Sequence, residues 1–225
     1  MLWLGSASAK SEDLSQQVKL ASKAFNSAAF SAYEQGDLKR AYRNYAQAAK
    51  LGEPSAMYNV AVMRINDEIN RPSLAQAHRT LRRSAELGFA PAQFMLATIL
   101  ESGSAAATRK NIDKLTAITE AVVWLEKAAQ QGHPDASLAL GTAYFLGRGT
   151  TLDYSKALQW YTQAAEFGDV AAQYLVASMH ESATGTSKNL DTALMWYIAA
   201  ARQGDVAARE KSKYVNEIIS KEKQS

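Results

Sequence analysis

Small apolar residues recur along the chain at fixed distances from a glycine, and the pattern occurs five times. The glycines are Gly52, Gly88, Gly132, Gly168 and Gly204, at intervals of 36, 44, 36 and 36 residues. Alanines stand eleven and three residues before each glycine and four residues after it. These alanines are Ala41, Ala77, Ala121, Ala157 and Ala193, then Ala49, Ala85, Ala129, Ala165 and Ala201, then Ala56, Ala92, Ala136, Ala172 and Ala208. Because small residues at helical spacing let two helix backbones approach closely, the three columns predict repeated, packed helices.

Large apolar residues accompany the alanines in the same register. Seven residues before the glycines stand Tyr45, Leu81, Leu125, Tyr161 and Tyr197, and eight before the last three stand Trp124, Trp160 and Trp196. Since the tryptophans are in phase with the alanines, core packing is favoured over an aromatic ladder that binds a ligand. The glycines suit the left-handed position that ends a helix, and Pro54, Pro91 and Pro134 suit the start of the next one. Each repeat is therefore predicted to be helix, turn, helix, turn.

The first helix of each repeat has a shorter version of this pattern. It is clearest at Leu140-Gly141 with Tyr144, and it recurs at Val60-Ala61, Leu96-Ala97 and Val176-Ala177. Asp37, Asp153 and Asn189 precede the second helices at equivalent positions and are predicted N-caps. The turn Gly147-Arg148-Gly149 is predicted to connect two helices, because no strand precedes it and no Gly-Lys-Ser/Thr follows, as a phosphate-binding loop requires.

These residues resemble the Sel-one-like repeat (SLR) family, which is related to the tetratricopeptide repeats. The fourth repeat matches the family pattern at Ala136, Leu140-Gly141, Tyr144, Gly147, Gly149, Asp153, Lys156-Ala157, Trp160-Tyr161, Ala164-Ala165 and Gly168. The fifth repeat matches it at Trp196-Tyr197, Ala200-Ala201 and Gly204. The first repeat departs from the pattern, since its short turn Gly36-Asp37 is closer to that of a tetratricopeptide repeat.

The resemblance implies an all-α fold, a right-handed superhelical solenoid of about five helix-turn-helix repeats whose first helices line the concave face. The expected divisions are an N-terminal segment at 1–17, repeats at 18–52, 53–88, 89–132, 133–168 and 169–205, and a capping helix with its tail at 206–225. In the cap, an apolar stripe is expected at Tyr214, Val215, Ile218 and Ile219, with Arg209, Lys211, Lys213, Glu217 and Lys221 facing water. The 44-residue interval predicts an insertion within Ser102–Asn111.

Composition and charge narrow the class of protein. The chain has 225 residues, of which 47% are hydrophobic, a formal net charge of +3 and no cysteine. The lack of cysteine excludes a disulfide framework and a thiolate metal site, and the scattered basic residues argue against a nucleic-acid partner. No apolar run approaches the roughly 20 residues that a membrane-spanning helix requires. We therefore expect a folded protein with no membrane span.

The N-terminus carries a short pattern that is similar to a signal peptide. Met1-Leu2-Trp3-Leu4 is followed by Ala7-Ser8-Ala9, which has the A-x-A form of a cleavage site. The segment lacks a basic region and sufficient apolar length, so either the recorded start is truncated or the similarity is chance. By analogy with bacterial members of the family, which are often extracytoplasmic, we favour a periplasmic or secreted location, with a cytoplasmic one as the alternative.

Candidate catalytic and metal-binding chemistry is sparse. His78, His133 and His180 each lack a second ligand at metal-binding spacing and are predicted to be structural, His133 as a solvated turn residue. Ser220 and Lys223 formally satisfy the S-x-x-K acylation motif, but the companion motifs are missing. No carboxylate pair stands out for acid–base catalysis. We predict no metal, no cofactor and no catalytic residue.

The predicted binding surface lies on the first helices. We align these helices on the small residues Ala29, Ala61, Ala97, Gly141 and Ala177. Three residues earlier stand Asn26, Tyr58, Phe94, Leu138 and Tyr174, and one turn further stand Phe30, Val62, Thr98, Thr142 and Ser178. By resemblance to tetratricopeptide grooves, these ten residues line the concave surface and bind a peptide or helix of a partner. The alternative is that they pack sideways between adjacent first helices.

We therefore expect a protein–protein interaction module, an adaptor or regulator that holds a segment of a protein partner and is monomeric when isolated. Two other functions stay open. The first alternative is that the chain is a structural subunit of a larger assembly. In the other it is a hydrolase or antibiotic-binding protein, an activity linked to cysteine-rich members of the family, although the lack of cysteine counts against kinship with that branch.

Overall fold

The fold is all-α over the residues that the structure describes. The computed structural model describes the backbone of residues 4–69, 73–103 and 113–223, and the side chains from residue 13 onward. These residues form eleven helices and no strand. The helices are α1 (Leu4–Glu34), α2 (Leu38–Lys50), α3 (Pro54–Ile65), α4 (Leu74–Glu86), α5 (Ala90–Glu101), α6 (Lys114–Gln130), α7 (Pro134–Leu146), α8 (Tyr154–Glu166), α9 (Val170–Ser182), α10 (Leu190–Arg202) and α11 (Val206–Glu222).

Consecutive helices pack against one another as hairpins joined by short turns. The first and second helices of a repeat are in contact in the pairs α1–α2, α3–α4, α7–α8 and α9–α10. Second helices also contact the next first helix in the pairs α2–α3, α6–α7 and α8–α9, and α10 contacts α11. The described residues divide into two compact units, an N-terminal unit up to Leu96 and a C-terminal unit from Ala97 onward.

The alanine columns form the helix interfaces, as predicted. All five alanines that stand eleven residues before the glycines, and all five that stand four residues after them, are completely buried. The large residues seven positions before the glycines are buried as well, with no more than 3% of the surface of any of them exposed. Of the tryptophans, Trp124 is buried, whereas Trp160 and Trp196 are only half-buried. The tyrosine and leucine column therefore occupies the core, and the tryptophan column lies at its edge.

Helix ends follow the predicted chemistry. The five repeat glycines have positive φ between 81° and 100°, a conformation that costs glycine little. The carboxylates of Asp37 and Asp153 and the side-chain oxygen of Asn189 each accept the backbone N–H three residues later, at 3.0, 3.0 and 2.9 Å, so the predicted N-caps are confirmed. His133, predicted to be a solvated turn residue, is instead half-buried and caps α7 through Nδ1, which accepts the N–H of Ala136 at 3.4 Å.

The turn at Gly147-Arg148-Gly149 connects α7 to α8 and also touches the preceding repeat. A Cβ at Gly149 would lie 2.7 Å from the carbonyl oxygen of Ile118, near the start of α6. Gly185, 36 residues later, has the same relation to Tyr154 at the start of α8, where a Cβ would lie 2.5 Å from the carbonyl oxygen. Both glycines have positive φ. Close packing between adjacent repeats thus explains these glycines, in agreement with the prediction of a helix connector.

The N-terminal helix and the capping helix each differ from the expectation in one detail. Helix α1 runs without a break from Leu4 to Glu34, so the expected boundary after residue 17 falls inside a helix. The side chains of Ala7-Ser8-Ala9 lie outside the described residues, and so does most of the insertion expected within Ser102–Asn111. In the capping helix α11, Val215 and Ile219 are buried, but Tyr214 is 55% exposed and does not belong to the apolar stripe.

Candidate partner-binding surface

The ten predicted binding residues lie on the first helices in two rows that differ in exposure. The packed row is Asn26, Tyr58, Phe94, Leu138 and Tyr174, all of which are half-buried. The open row is Phe30, Val62, Thr98, Thr142 and Ser178, of which Phe30, Thr98 and Thr142 are exposed and Val62 and Ser178 are half-buried. The sequence places both rows on one stretch of each helix, but only the open row contains exposed side chains.

Contacts within the fold occupy much of the packed row. The Asn26 amide donates to Ser55 Oγ at 3.2 Å, which joins α1 to the start of α3. The ring of Tyr58 meets the ring of Phe89 edge-on at 5.5 Å between centroids, and Tyr174 meets Tyr197 in the same way at 5.3 Å. Burial raises the pKa of the Tyr58 hydroxyl. At these three positions the geometry supports sideways packing, the alternative that the sequence left open.

Thr142, a polar residue of the open row, has a clear internal role. Thr142 Oγ1 donates to the carbonyl oxygen of Leu138 at 3.0 Å and accepts a hydrogen bond from the Tyr161 hydroxyl at 3.1 Å. Thr142 therefore anchors the buried phenol of α8 to α7 while its side chain stays exposed. Its hydrogen bonds therefore stabilise the hairpin of α7 and α8.

An apolar recess lies in the N-terminal unit, between α1, α2 and α3. It has a volume of about 270 Å³. Its lining consists of Phe30, Tyr33, Tyr45, Asn59, Val62 and Met63. Phe30 is 57% exposed and Tyr33 is 41% exposed, whereas Tyr45 and Met63 belong to the buried core. The recess thus joins two members of the open row to exposed aromatic surface.

Of the lining residues outside the buried core, Tyr33 and Asn59 were not predicted from the sequence. Tyr33 follows Phe30 by one helical turn, so its position on the same face was a usable signal. Asn59 gave no such signal, because the equivalent positions of the three later first helices hold Met95, Ala139 and Leu175. Its side chain adds an amide to an otherwise largely apolar wall.

A carboxylate stands at the rim of the recess. The Tyr33 hydroxyl donates to Glu68 Oε1 at 3.4 Å, and the Asn66 amide donates to the same oxygen at 3.0 Å. The negative charge of Glu68, together with burial, raises the pKa of Tyr33, so this hydroxyl stays protonated as a hydrogen-bond donor at neutral pH. The recess therefore offers apolar surface at its centre and polar groups at its edge, as protein-binding sites do.

The described residues contain no group of three or more His, Cys, Asp or Glu side chains positioned to hold a metal ion. His78 is buried and His180 is half-buried, and burial lowers the pKa of both. Nδ1 of each lacks a hydrogen-bond partner among the described residues.

The sequence model of the Sel1 repeat family matches four segments of the chain, at residues 27–53, 90–133, 134–169 and 170–205. These segments cover more than half of the sequence. The chain belongs to the Sel1 repeat family. Sel1 repeat proteins are generally protein-interaction modules, and typically they are helical scaffolds without catalytic activity.

Solved structures of other Sel1 repeat proteins share the fold. One is c5321, a protective antigen present in uropathogenic Escherichia coli strains, which displays an SLR fold. It is 29% identical with a TM-score of 0.74, and the match covers 89% of this chain and 42% of that one. A Sel1 repeat protein from Oxalobacter formigenes is 27% identical with a TM-score of 0.65, over 85% of this chain and 74% of that one. This Sel1 repeat chain therefore has the predicted all-α repeat-solenoid fold.

A curated relative of this Sel1 repeat chain is much longer than the region it shares. It is an uncharacterized protein of Neisseria meningitidis serogroup B, 30% identical over 112 residues. The match covers 50% of this chain and 21% of the relative.

Among the residues that the structure describes, we find no helix with the length and apolar character needed to cross a membrane.

Proposed function

We propose that this protein is an adaptor or regulator that binds a segment of a protein partner on the face of its first helices. The observation that carries the proposal is the apolar recess between α1 and α3, with the exposed ring of Phe30 at its edge. Binding energy in protein interfaces concentrates in a few aromatic or large apolar side chains that fill such recesses. The chain also belongs to a family whose members are generally protein-interaction modules, and this supports the same class of function.

We give the two rows different roles, and the contacts in the fold support this division. We assign partner contact to the open row and to Tyr33, because most of these residues are exposed and all of them lie on the first helices. We assign the packed row mainly to support of that surface, since Asn26, Tyr58 and Tyr174 already have partners within the fold. The proposal is thus narrower than the one made from the sequence, which gave both rows the same role.

A matched pair of phenylalanines tests the proposal. Phe30 and Phe167 are each 57% exposed, but Phe167 lies in the turn after α8 and does not line the recess. Peptides enriched from a random displayed library on the wild-type protein supply defined ligands for affinity measurements. We expect Phe30→Glu to weaken these peptides at least about tenfold, as loss of an interface anchor does. Phe167→Glu should leave their affinity unchanged.

Folding is checked by circular dichroism, and Tyr58→Ala serves as the contrasting variant. Because Tyr58 is half-buried against Phe89, its truncation should lower the melting temperature more than Phe30→Glu does. Peptides that bind Phe30→Glu as tightly as the wild-type protein would place the binding surface elsewhere. Peptides lost equally in Phe30→Glu and Phe167→Glu would contradict the proposal as well.

A further inference from the structure

The second helices of the first two repeats, α2 and α4, carry a concentration of positive charge. The cations on α2 and α4 with exposed side chains are Lys39, Arg40, Arg43, Lys50, Arg79 and Arg83. The two helices contain a single acidic residue, Glu86, which lies 3.7 Å from Arg83. The basic residues are scattered along the sequence, but α2 and α4 both pack against α3, so the fold gathers these six in one unit.

Three acidic residues of the same unit already accept hydrogen bonds within the fold. The Asp37 carboxylate caps the first turn of α2. Glu53 accepts hydrogen bonds from Ser22 and Ser55, and Glu68 accepts them from Tyr33 and Asn66. In contrast, Lys39, Arg43 and Arg79 have no ion-pair partner among the described residues. Their charges are therefore available to a ligand.

The repeat register shows that this charge is specific to the N-terminal unit. Arg43 and Arg79 occupy the same position in the first two repeats, nine residues before the repeat glycine. The later repeats have Val123, Gln159 and Met195 at this position. The repeat fold does not require a cation there, because three neutral residues occupy the position in the same sequence.

An open recess lies beside two of the six cations, Lys39 and Arg43. It has a volume of about 490 Å³ and is lined by Lys39, Tyr42, Arg43 and Ile69. Tyr42 and Ile69 are half-buried and pack against the core of the unit, so they form a floor that does not protrude. Arg64 stands over the Tyr42 ring, 5.6 Å from its centroid, and its Nε donates to the Tyr42 hydroxyl at 3.0 Å.

We propose that the exposed, basic surface of α2 and α4 binds an acidic protein segment. A single apolar side chain of this segment enters the recess over Tyr42 and Ile69. Arginine guanidinium groups bind carboxylates through paired hydrogen bonds, and an apolar anchor in a recess adds affinity that charge alone does not supply. This surface lies on the second helices and is distinct from the recess at Phe30. It adds a second binding surface to the proposed function and does not depend on it.

The recess favours a protein segment over the two other classes of anionic partner. A membrane surface is bound by apolar side chains that protrude and insert, whereas Tyr42 and Ile69 are recessed. Single-stranded nucleic acid is bound by open aromatic faces on which bases stack, whereas the Tyr42 ring lies between Arg64 and the core.

The test uses a fluorescein-labelled peptide of alternating Glu and Asp residues with one central Leu, and it measures binding by fluorescence anisotropy. We expect salt-dependent binding to the wild-type protein. The double variant Arg43→Glu/Arg79→Glu should bind at least about tenfold more weakly, because each reversal replaces an attraction with a repulsion. Replacing the central Leu of the peptide with Ser should weaken binding several-fold, since the recess then loses its apolar occupant.

The control Arg202→Glu/Arg209→Glu makes the same change in net charge at two exposed positions of the C-terminal unit. It should bind the acidic peptide as the wild-type protein does, and so should Phe30→Glu. If the first double variant melts at a lower temperature, Arg43→Gln/Arg79→Gln provides the same comparison without repulsion. No binding of the peptide by the wild-type protein, or equal loss in both double variants, overturns the proposal.

Two further outcomes would also overturn it. Tighter binding of an RNA oligonucleotide or of vesicles containing phosphatidylserine, with the same dependence on Arg43 and Arg79, would assign the surface to that class of partner. Equal binding of the Leu and Ser peptides would remove the recess from the site.

Discussion

The ring of Tyr161 lies directly over the backbone of Gly141, where a Cβ would stand 2.6 Å from Tyr161 Cδ1. The direction of the phenol accounts for this close approach, since the Tyr161 hydroxyl donates to Thr142, the residue next to the glycine. In the next repeat Ala177 takes the place of Gly141, and the Tyr197 hydroxyl donates instead to Glu181 at 2.6 Å. The fourth repeat has Phe145 where the fifth has Glu181, so it lacks that acceptor.

Replacing Gly141 by alanine therefore has two opposed effects. A mid-helix alanine is favoured over glycine by roughly 1 kcal/mol, but overpacking a close-packed core costs about 1–3 kcal/mol. We expect Gly141→Ala to lower the free energy of unfolding, measured by urea denaturation. In a Tyr161→Leu background, with leucine as in the second and third repeats, the same substitution should become stabilising. A stabilising effect in both backgrounds would show that the ring moves without cost.

A second prediction concerns Ala183, which ends α9 with φ 57° and ψ 34°. This left-handed conformation costs a residue with a side chain roughly 1–2 kcal/mol, and the equivalent residue at the end of α7 is Gly147. We expect Ala183→Gly to raise the free energy of unfolding by about 1 kcal/mol, because the larger unfolded-state entropy of glycine cancels only part of the relief. Ala199→Gly, inside α10, should instead lower it by about 1 kcal/mol. Destabilisation by both would contradict this account.

Much of the fold was readable from the sequence because each repeat must bury the same small residues. Ala41 and its four equivalents are completely buried, and a larger side chain at any of them would separate two helices. The N-caps were equally readable, since Asp153 and Asn189 act through the adjacent backbone. Such local rules fix the hairpins whatever their partners are.

The candidate site was less readable, because exposure depends on neighbours that the repeat pattern does not specify. Tyr58 and Phe30 are both aromatic residues of the first helices, one helical turn apart in the alignment, yet of the two only Tyr58 meets another ring among the described residues. The basic surface was missed for a related reason. Arg43 and Arg79 are 36 residues apart in the sequence, and only the register of the repeats makes them equivalent.

A third prediction concerns the attachment of the capping helix α11. Lys211 Nζ donates to both carboxylate oxygens of Glu181, at 2.9 and 3.1 Å, while part of its side chain still faces water as expected. Burial alone would raise the pKa of Glu181, but the hydrogen bonds from Tyr197 and Lys211 outweigh burial and hold it below its usual value. This stabilisation is present above the unfolded-state pKa and is lost as the pH falls through the folded-state pKa.

We expect Lys211→Met to lower the free energy of unfolding by about 1 kcal/mol at neutral pH, since the pair is partly exposed and screened by solvent. The loss should shrink as Glu181 becomes protonated in acid. Lys213→Met is the matched control, because Lys213 pairs with Glu210 at 2.8 Å on the exposed side of the same helix. The control should leave the melting temperature unchanged, and equal effects of the two variants would argue against a special role for Lys211.

The last prediction concerns His78, which is 5% exposed on α4 in a position that leucine occupies in the fourth and fifth repeats, at Leu158 and Leu194. Burial lowers the pKa of His78 in the folded protein, whereas in the unfolded chain it is expected near about 6.5. Below that pH the unfolded chain takes up a proton that the folded protein resists, so stability falls as the pH falls.

His78→Leu removes this proton uptake. The variant should therefore gain stability relative to the wild-type protein as the pH is lowered from 7.5 to 5, with the difference growing once the pH passes below the unfolded-state pKa. Urea denaturation at several pH values measures the difference directly. His180, whose pKa is also lowered by burial, is present in both proteins, so its contribution cancels in the comparison. Parallel curves of stability against pH would mean that His78 is protonated equally in both states, against the burial that the structure gives it.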